Sequence, residues 1–360
     1  MAVLLAGAVG AAAALPASAG AHHRSASRNQ TKQAAPRFFG YNGVFNFPRT
    51  PLRTVLTEMK AGGANTTRLM IPWSRAQPRR HGGYRFHFFD RVYHRILASG
   101  IRPLIVPIDS PCWAHPSVPC GAPYNAVRPD RRYLGQWRRF MAKLARRYRR
   151  ARGFEIWNEP NLYGFWGPDP SPRRYERLLR AAAKGVRSIH RHPPIAFGGP
   201  APIGNWRGFI RHAYQRGAGR YSDDLALHLY PRRVPVARSI VQEAREANVI
   251  RAHYDPNAGM WGTEVGVSTA KKPAWQPRVD PSRQAEALVN IYHRLARRGF
   301  ELLTIFRLRD PPRGQFPRQS WQTGLGVEHT NGRPKPAFCA LAVAVRGGVP
   351  KRCGAGAHRH

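Results

Sequence analysis

From residue 37 onward, short apolar runs alternate with longer amphipathic ones. The short runs are FFGYNGVF (38–45), NTTRLMI (65–71), RPLIVPI (102–108), FEIWN (154–158), IAFGG (195–199), LALHLY (225–230), MWGTEV (260–265) and LLTIF (302–306). Each is short, rich in branched or aromatic residues and bounded by polar or glycine-containing segments, so each reads as a strand. The longer segments carry apolar residues at helical spacing. TPLRTVLTEMKAGG (50–63) is one, ended by Gly62-Gly63. YERLLRAAAKGVRSIH (175–190) puts Leu178, Leu179, Ala182, Val186 and Ile189 on one face, and SRQAEALVNIYHRLARRG (282–299) does so with Leu288, Ile291, Tyr292 and Leu295. Eight strand–helix pairs predict an α/β fold, a closed parallel (β/α)8 TIM barrel forming a single domain over residues 37–360. An open doubly wound sheet is the alternative, but no Gly-rich phosphate loop follows the first strand. Walker, G-x-S-x-G and long-period repeat patterns are absent from the sequence.

The chain ends change the picture in two ways. Residues 2–19, AVLLAGAVGAAAALPASA, form an apolar run closed by the small-residue pattern Ala17-Ser18-Ala19. This predicts a secretory signal peptide over residues 1–21, although the usual basic stretch before the apolar run is missing. Residues 22–36 have no apolar period and read as a disordered linker. The expected location is secreted or cell-envelope associated, with no transmembrane segment after signal cleavage. Four cysteines in an exported chain suggest two disulfides, with three connectivities open. Local pairing, Cys112 with Cys120 and Cys339 with Cys353, is the least costly. No C-x-x-C or H-E-x-x-H spacing occurs, so neither a metal nor an organic cofactor is expected.

The net charge is +40, and arginine supplies 51 of the 59 basic residues. Such a charge favours an anionic partner, for example a cell-envelope polymer. No recognised nucleic-acid motif accompanies it, so no specific nucleic acid is expected. Helical spacing also gives a plainer account. In QWRRFMAKLARRYRR (136–150), Trp137, Phe140, Met141, Leu144 and Tyr148 share one face, which turns most of the arginines outward.

A barrel puts its chemistry at the C-terminal ends of its strands. Glu159 stands just past the last apolar residue of the fourth run, and Glu264 holds the matching place in the seventh. Glycosidic hydrolysis needs two carboxyl groups flanking the bond, one protonated and one ionised. Taken singly, either glutamate would more often be a solvated cap or an arginine's partner. Two in register at the same rim point to a catalytic pair. Trp73, Trp113, Tyr163, Trp166 and Trp321 fall near that rim and offer faces for stacking on sugar rings, Trp166 foremost.

FEIWNEPNLYGFW (154–166) resembles the acid/base segment of clan A glycoside hydrolases, most closely family 39. GANTTRLMIPWSRAQP (63–78), LHLYP (227–231), WGTEVG (261–266) and GLGVEHTNGRPKPAF (324–338) extend the resemblance over most of residues 38–340. It implies that Glu159 is the acid/base, Glu264 the nucleophile and Asn158 a ligand of a substrate hydroxyl. Arg68, His228 and Tyr230 then orient the two glutamates. Together they predict a retaining hydrolase of β-linked oligo- or polysaccharide, with carbohydrate as the partner.

Two departures qualify the likeness. The eighth strand commonly ends in Trp within the clan, yet here it reads TIFRLRD, with Arg307 and Asp310 where that sugar floor would be. Trp321 is the candidate substitute, and the arginine leaves room for an acidic sugar such as a uronate. The family's β-xylosidases also carry an added β-sandwich that this sequence does not accommodate, which favours an open-cleft endo-enzyme. The competing reading is a non-catalytic carbohydrate- or polyanion-binding protein on the same barrel.

Overall fold

The computed structural model describes residues 35–44, 50–271, 276–317 and 320–354. The expected signal peptide and nearly all of the expected linker lie outside the described residues. Eight parallel strands close into a barrel in sequence order: β1 (Phe38–Tyr41), β2 (Thr66–Pro72), β3 (Arg102–Ile108), β4 (Gly153–Asn158), β5 (Ile195–Gly199), β6 (Asp224–Leu229), β7 (Gly259–Val265) and β8 (Phe300–Ile305). The ring closes through β1 against β8, with Phe38 opposite Leu302 and Tyr41 opposite Ile305. The eight apolar runs of the sequence are therefore the eight strands, and the (β/α)8 expectation holds.

Side chains alternate between the inside of the tube and the helices around it. Leu104, Ala196, Ala226, Trp261 and Leu302, with Phe38 against them, form a small separate cluster that fills the lower barrel. Their strand neighbours Ile105, Phe197, Leu225, Met260 and Leu303 belong instead to the large core beneath the helices. Above the lower layer the inward residues turn polar. Arg68, Glu155, Thr263 and Thr304 are all buried there.

The helices follow the 3.6-residue pattern. In Leu134–Arg147 the buried residues are Trp137, Phe140, Met141, Leu144 and Ala145, while Arg138, Arg139, Arg146 and Arg147 are exposed. The plainer account of those arginines is therefore the one seen. Helix Pro172–Val186 starts where Ser171 Oγ accepts from the Arg174 amide, with proline as its first residue. Asp280 and Pro281 open helix Pro281–Ala296 in the same way.

Both local cysteine pairs are bonded, with Cα–Cα distances of 5.6 Å for Cys112–Cys120 and 5.9 Å for Cys339–Cys353. Among the described residues no helix is long and apolar enough to cross a membrane.

Candidate active site

Strict alternation would let only every second residue at a strand end face the barrel mouth. Two strands break it. In β4, Glu155 points inward and Ile156 outward, but Trp157 and Glu159 both adopt left-handed backbone, with φ of 79° and 45°. Asn158 and Glu159 consequently both face the site. Non-glycine residues rarely hold that conformation, and such exceptions gather at functional sites.

In β7 the device is a bulge. Leu227 pairs with Gly262, yet His228 pairs with Glu264. On the other side Gly262 pairs with Leu303 and Val265 with Ile305. One extra residue is thus accommodated around Thr263–Glu264, so both turn inward and Val265 returns to the outer core.

Arg68 on β2 ties the two strands together. Its Nε donates to Glu155 Oε2 at 2.9 Å, and its Nη2 donates to Glu155 Oε1 and Asn158 Oδ1, each at 3.1 Å. Nη1 donates to Glu264 Oε1 in a short ion pair. The other oxygen of Glu264 accepts from the Tyr230 hydroxyl at 2.5 Å. His228 Nδ1 lies 2.8 Å from Glu159 Oε1 and 3.5 Å from Glu264 Oε2. Its Nε2 faces Glu155 Oε1 at 3.6 Å, a charge contact rather than a hydrogen bond.

The electrostatics follow from burial and these partners. Burial opposes the charged form of His228, but Glu264, Glu155 and Glu159 outweigh it and push the ring up to about 9. The imidazole is therefore positive at neutral pH and donates to Glu159. Burial likewise pushes the Glu159 carboxyl above its ordinary range, helped by the charge of Glu264 and held back by His228 and Arg68. Glu155 goes the other way: burial opposes its ionisation, yet Arg68 and His228 prevail and keep it a carboxylate.

One carboxylate oxygen from each of Glu159 and Glu264 and one ring nitrogen of His228 lie within 4.8 Å of one another. Such a trio could hold a metal on distance alone. Both Glu264 oxygens and Glu159 Oε1, however, already engage Arg68, Tyr230 and His228, so the donors are taken up by the protein.

Six of the residues expected from the sequence are thus brought into one cluster: Arg68, Asn158, Glu159, His228, Tyr230 and Glu264. The aromatic expectations fare unevenly. Trp166 has no exposed surface. It packs between Trp157 and Tyr175, with ring centroids at 5.7 and 6.0 Å, inside an aromatic ribbon behind the barrel. A ring with both faces covered cannot stack on sugar, so the expected role of Trp166 is corrected to core packing. Trp73 is equally buried, against Trp113, Trp137 and Phe140. Trp321 is half-buried at the mouth and meets Tyr230 edge-on at 4.8 Å. Tyr163 is 58% exposed at the start of the short helix Tyr163–Trp166 that follows β4.

Glu155 was not singled out from the sequence, although a charged residue amid the apolar FEIWN run was a signal. It accepts from Arg68, from Thr263 Oγ1 at 3.1 Å and from the Gly199 amide at 3.1 Å. Gly199 must be glycine for this packing, since an added Cβ would lie 2.5 Å from the His228 ring and 2.9 Å from Glu155.

Known proteins share this barrel. The sequence profile described as Glycosyl hydrolases family 39 matches residues 69–346. A beta-xylosidase from Geobacillus stearothermophilus is 29% identical over 162 residues, covering 42% of this chain and 29% of that protein. Among solved structures, a family 39 glycoside hydrolase from the gut symbiont Bacteroides cellulosilyticus WH2 superposes with a TM-score of 0.66 at 17% identity, over 87% of this chain and 64% of that one. A monomeric beta-xylosidase from Caulobacter crescentus CB15 gives 0.64 at 19% identity, over 86% and 69%. The chain thus spans less than two thirds of the first two of these proteins, and at such identities the structural matches speak for the fold.

Proposed function

The chain belongs to glycosyl hydrolase family 39 and is a glycosidase acting on carbohydrate, and from that premise we propose that it hydrolyses β-linked oligo- or polysaccharide with retention, through Glu159 and Glu264. One observation carries the reading: the two carboxylates approach within 4.8 Å across the barrel mouth. A double-displacement pair needs a separation of about 5 Å, whereas an inverting pair stands farther apart to admit a water.

Glu264 attacks the anomeric carbon as its carboxylate, fixed in rotamer by Arg68 and Tyr230. Glu159 carries the proton to the departing glycosidic oxygen, which its raised pKa supports. Forming the glycosyl ester removes the charge of Glu264. Glu159 then loses its negative neighbour, ionises more readily and takes a proton from the water that cleaves the ester. Asn158 accepts from Arg68 through Oδ1, and its amide nitrogen is the candidate ligand for a substrate hydroxyl. Trp321 and the exposed Tyr163 are the candidate stacking surfaces. The apolar leader and the two disulfides support action outside the cytoplasm, and the +40 charge supports an anionic envelope polymer as neighbour.

The test is a panel of β-glycans and aryl β-glycosides against the unaltered protein, Glu159→Gln and Glu264→Gln. Both variants should lose at least about 10³-fold in kcat. Azide should restore turnover to Glu264→Gly with an inverted glycosyl azide product. Turnover surviving in either Gln variant, or an inverted sugar released by the unaltered protein, would remove the assignment.

A further inference from the structure

Three arginines lie buried around the mouth, and they are not alike. Arg68 is saturated by Glu155, Glu264 and Asn158. Arg309 is bound by Glu58, Glu328 and Thr50. Arg307, directly after β8 and only 2% exposed, has no ion pair or side-chain hydrogen bond with any described residue, and its Nε is buried without a partner. Its guanidinium lies between the rings of Phe306 and Phe316, at 5.3 and 5.4 Å. The anions within reach are taken: Glu264 by Arg68 and Tyr230, and Asp310 by Lys335 at 2.7 Å.

The surroundings explain where this cation can act. Arg307 lines a cavity of about 260 Å³ that it shares with Arg68, Asn42, Phe306, Phe316 and Gln322. Asn42 donates its amide to the Thr263 carbonyl at 3.0 Å, which leaves Oδ1 buried without a partner. One cavity beside the nucleophile therefore holds an orphaned cationic donor and an orphaned neutral acceptor. Guanidinium stays charged under all ordinary conditions, and a buried charge without a counter-ion is costly. Its planar fork fits two oxygens of a carboxylate or an oxyacid ester, while the aromatic faces beside it exclude water.

We propose that this cavity selects a sugar unit bearing an anionic group next to a hydroxyl, with Arg307 binding the anion and Asn42 Oδ1 accepting from the hydroxyl. Two sources share this chemistry, the carboxylate of a uronosyl unit and a sulfate ester on a neutral sugar. The inference deepens the glycosidase reading and rests on it for turnover, but binding tests it independently.

Calorimetry on the unaltered protein should be run with glucuronate, galacturonate and mannuronate, each beside its neutral hexose, and with glucose 6-sulfate. At least one acid should bind about 30-fold or more tightly than its neutral counterpart, and Arg307→Gln should erase that preference. Whether the uronates or the sulfate lead identifies the source. In turnover, the preferred acid's aryl glycoside should lose about 100-fold in kcat/KM on Arg307→Gln, at least about tenfold more than its neutral counterpart loses. Should Arg307→Gln fail to fold, Arg307→Lys takes its place and should retain part of the preference. Equal or weaker binding of every acid, or a preference that survives Arg307→Gln, overturns the proposal while leaving the hydrolase intact. Tight acid binding through Arg307 with no glycoside cleaved would instead keep the anion site and remove the catalytic reading.

Discussion

The two ends of one barrel interior are built on opposite principles. At the lower end Trp261 fills the tube against Leu104, Ala226 and Leu302, and burial of apolar surface is the source of stability. At the upper end Arg68, Glu155, His228, Glu159 and Glu264 are buried in the same tube, and each has found a charged partner. Charges are expensive to bury, so the upper layer is held together by mutual satisfaction and costs stability that the lower layer and the outer core offset. The difference teaches which end serves function: there the buried charges are gathered into one network, and left-handed residues and a bulge turn them toward the mouth.

Asp224, at the start of β6, tests the contrast from the lower end. It is a buried acid near Asp223 and Glu301, with no arginine or lysine paired to it among the described residues. Burial and those two acids push it up to about 8. The lower layer leaves a lone acid protonated, whereas the upper layer supplies cations and keeps Glu155 ionised.

The sharpest way to break the comparison is Arg68→Met. It leaves Glu155 and Glu264 buried together without their shared counter-ion, so kcat/KM should fall about 10³-fold and unfolding stability by about 3–5 kcal/mol. Kinetics and urea unfolding read both, and a variant that kept full activity would show that the upper network is structural only. Trp261→Ala should cost a similar 3–5 kcal/mol, roughly, through the cavity it leaves, while changing kcat/KM less than about tenfold. If it abolished activity at unchanged stability, the division between the two ends would be wrong.

Asp224→Asn should act in a defined pH window. The unfolded carboxyl ionises near its ordinary 3.8 and the folded one only near 8, so the unfolded state binds fewer protons between those values. Stability therefore declines as pH rises from about 4 to about 8, and the variant should abolish that decline. A gain of several kcal/mol at pH 8, with none at pH 4, is expected from thermal unfolding. The smallest effect concerns His228→Gln. Removing the imidazolium that holds Glu159 down lets burial and Glu264 raise that carboxyl further. The alkaline limb of kcat/KM should move to higher pH. A shift to lower pH would mean that Glu159 is not the group that must stay protonated.

Much of this was legible along the chain because it is local. Strand and helix periods, caps at Ser171 and Asp280, and closely spaced cysteines are set by neighbours within a turn or a loop. Position at the C-terminal end of a strand was enough to put Glu159 and Glu264 at the barrel mouth. Glu155 escaped notice because its role depends on three other strands, through Arg68, Thr263 and Gly199.

The sequence by itself determined the eight-fold alternation, the outward arginines of the helices and the rim on which the acids stand. Only the tertiary structure decided that Trp166 is sealed in the aromatic ribbon, that a bulge turns Glu264 inward and that Arg307 finds no ion-pair partner among the described residues. The reason is that a period predicts which face a residue takes only while the period holds. Where β4 and β7 break it, the facing is settled by partners brought together from distant strands.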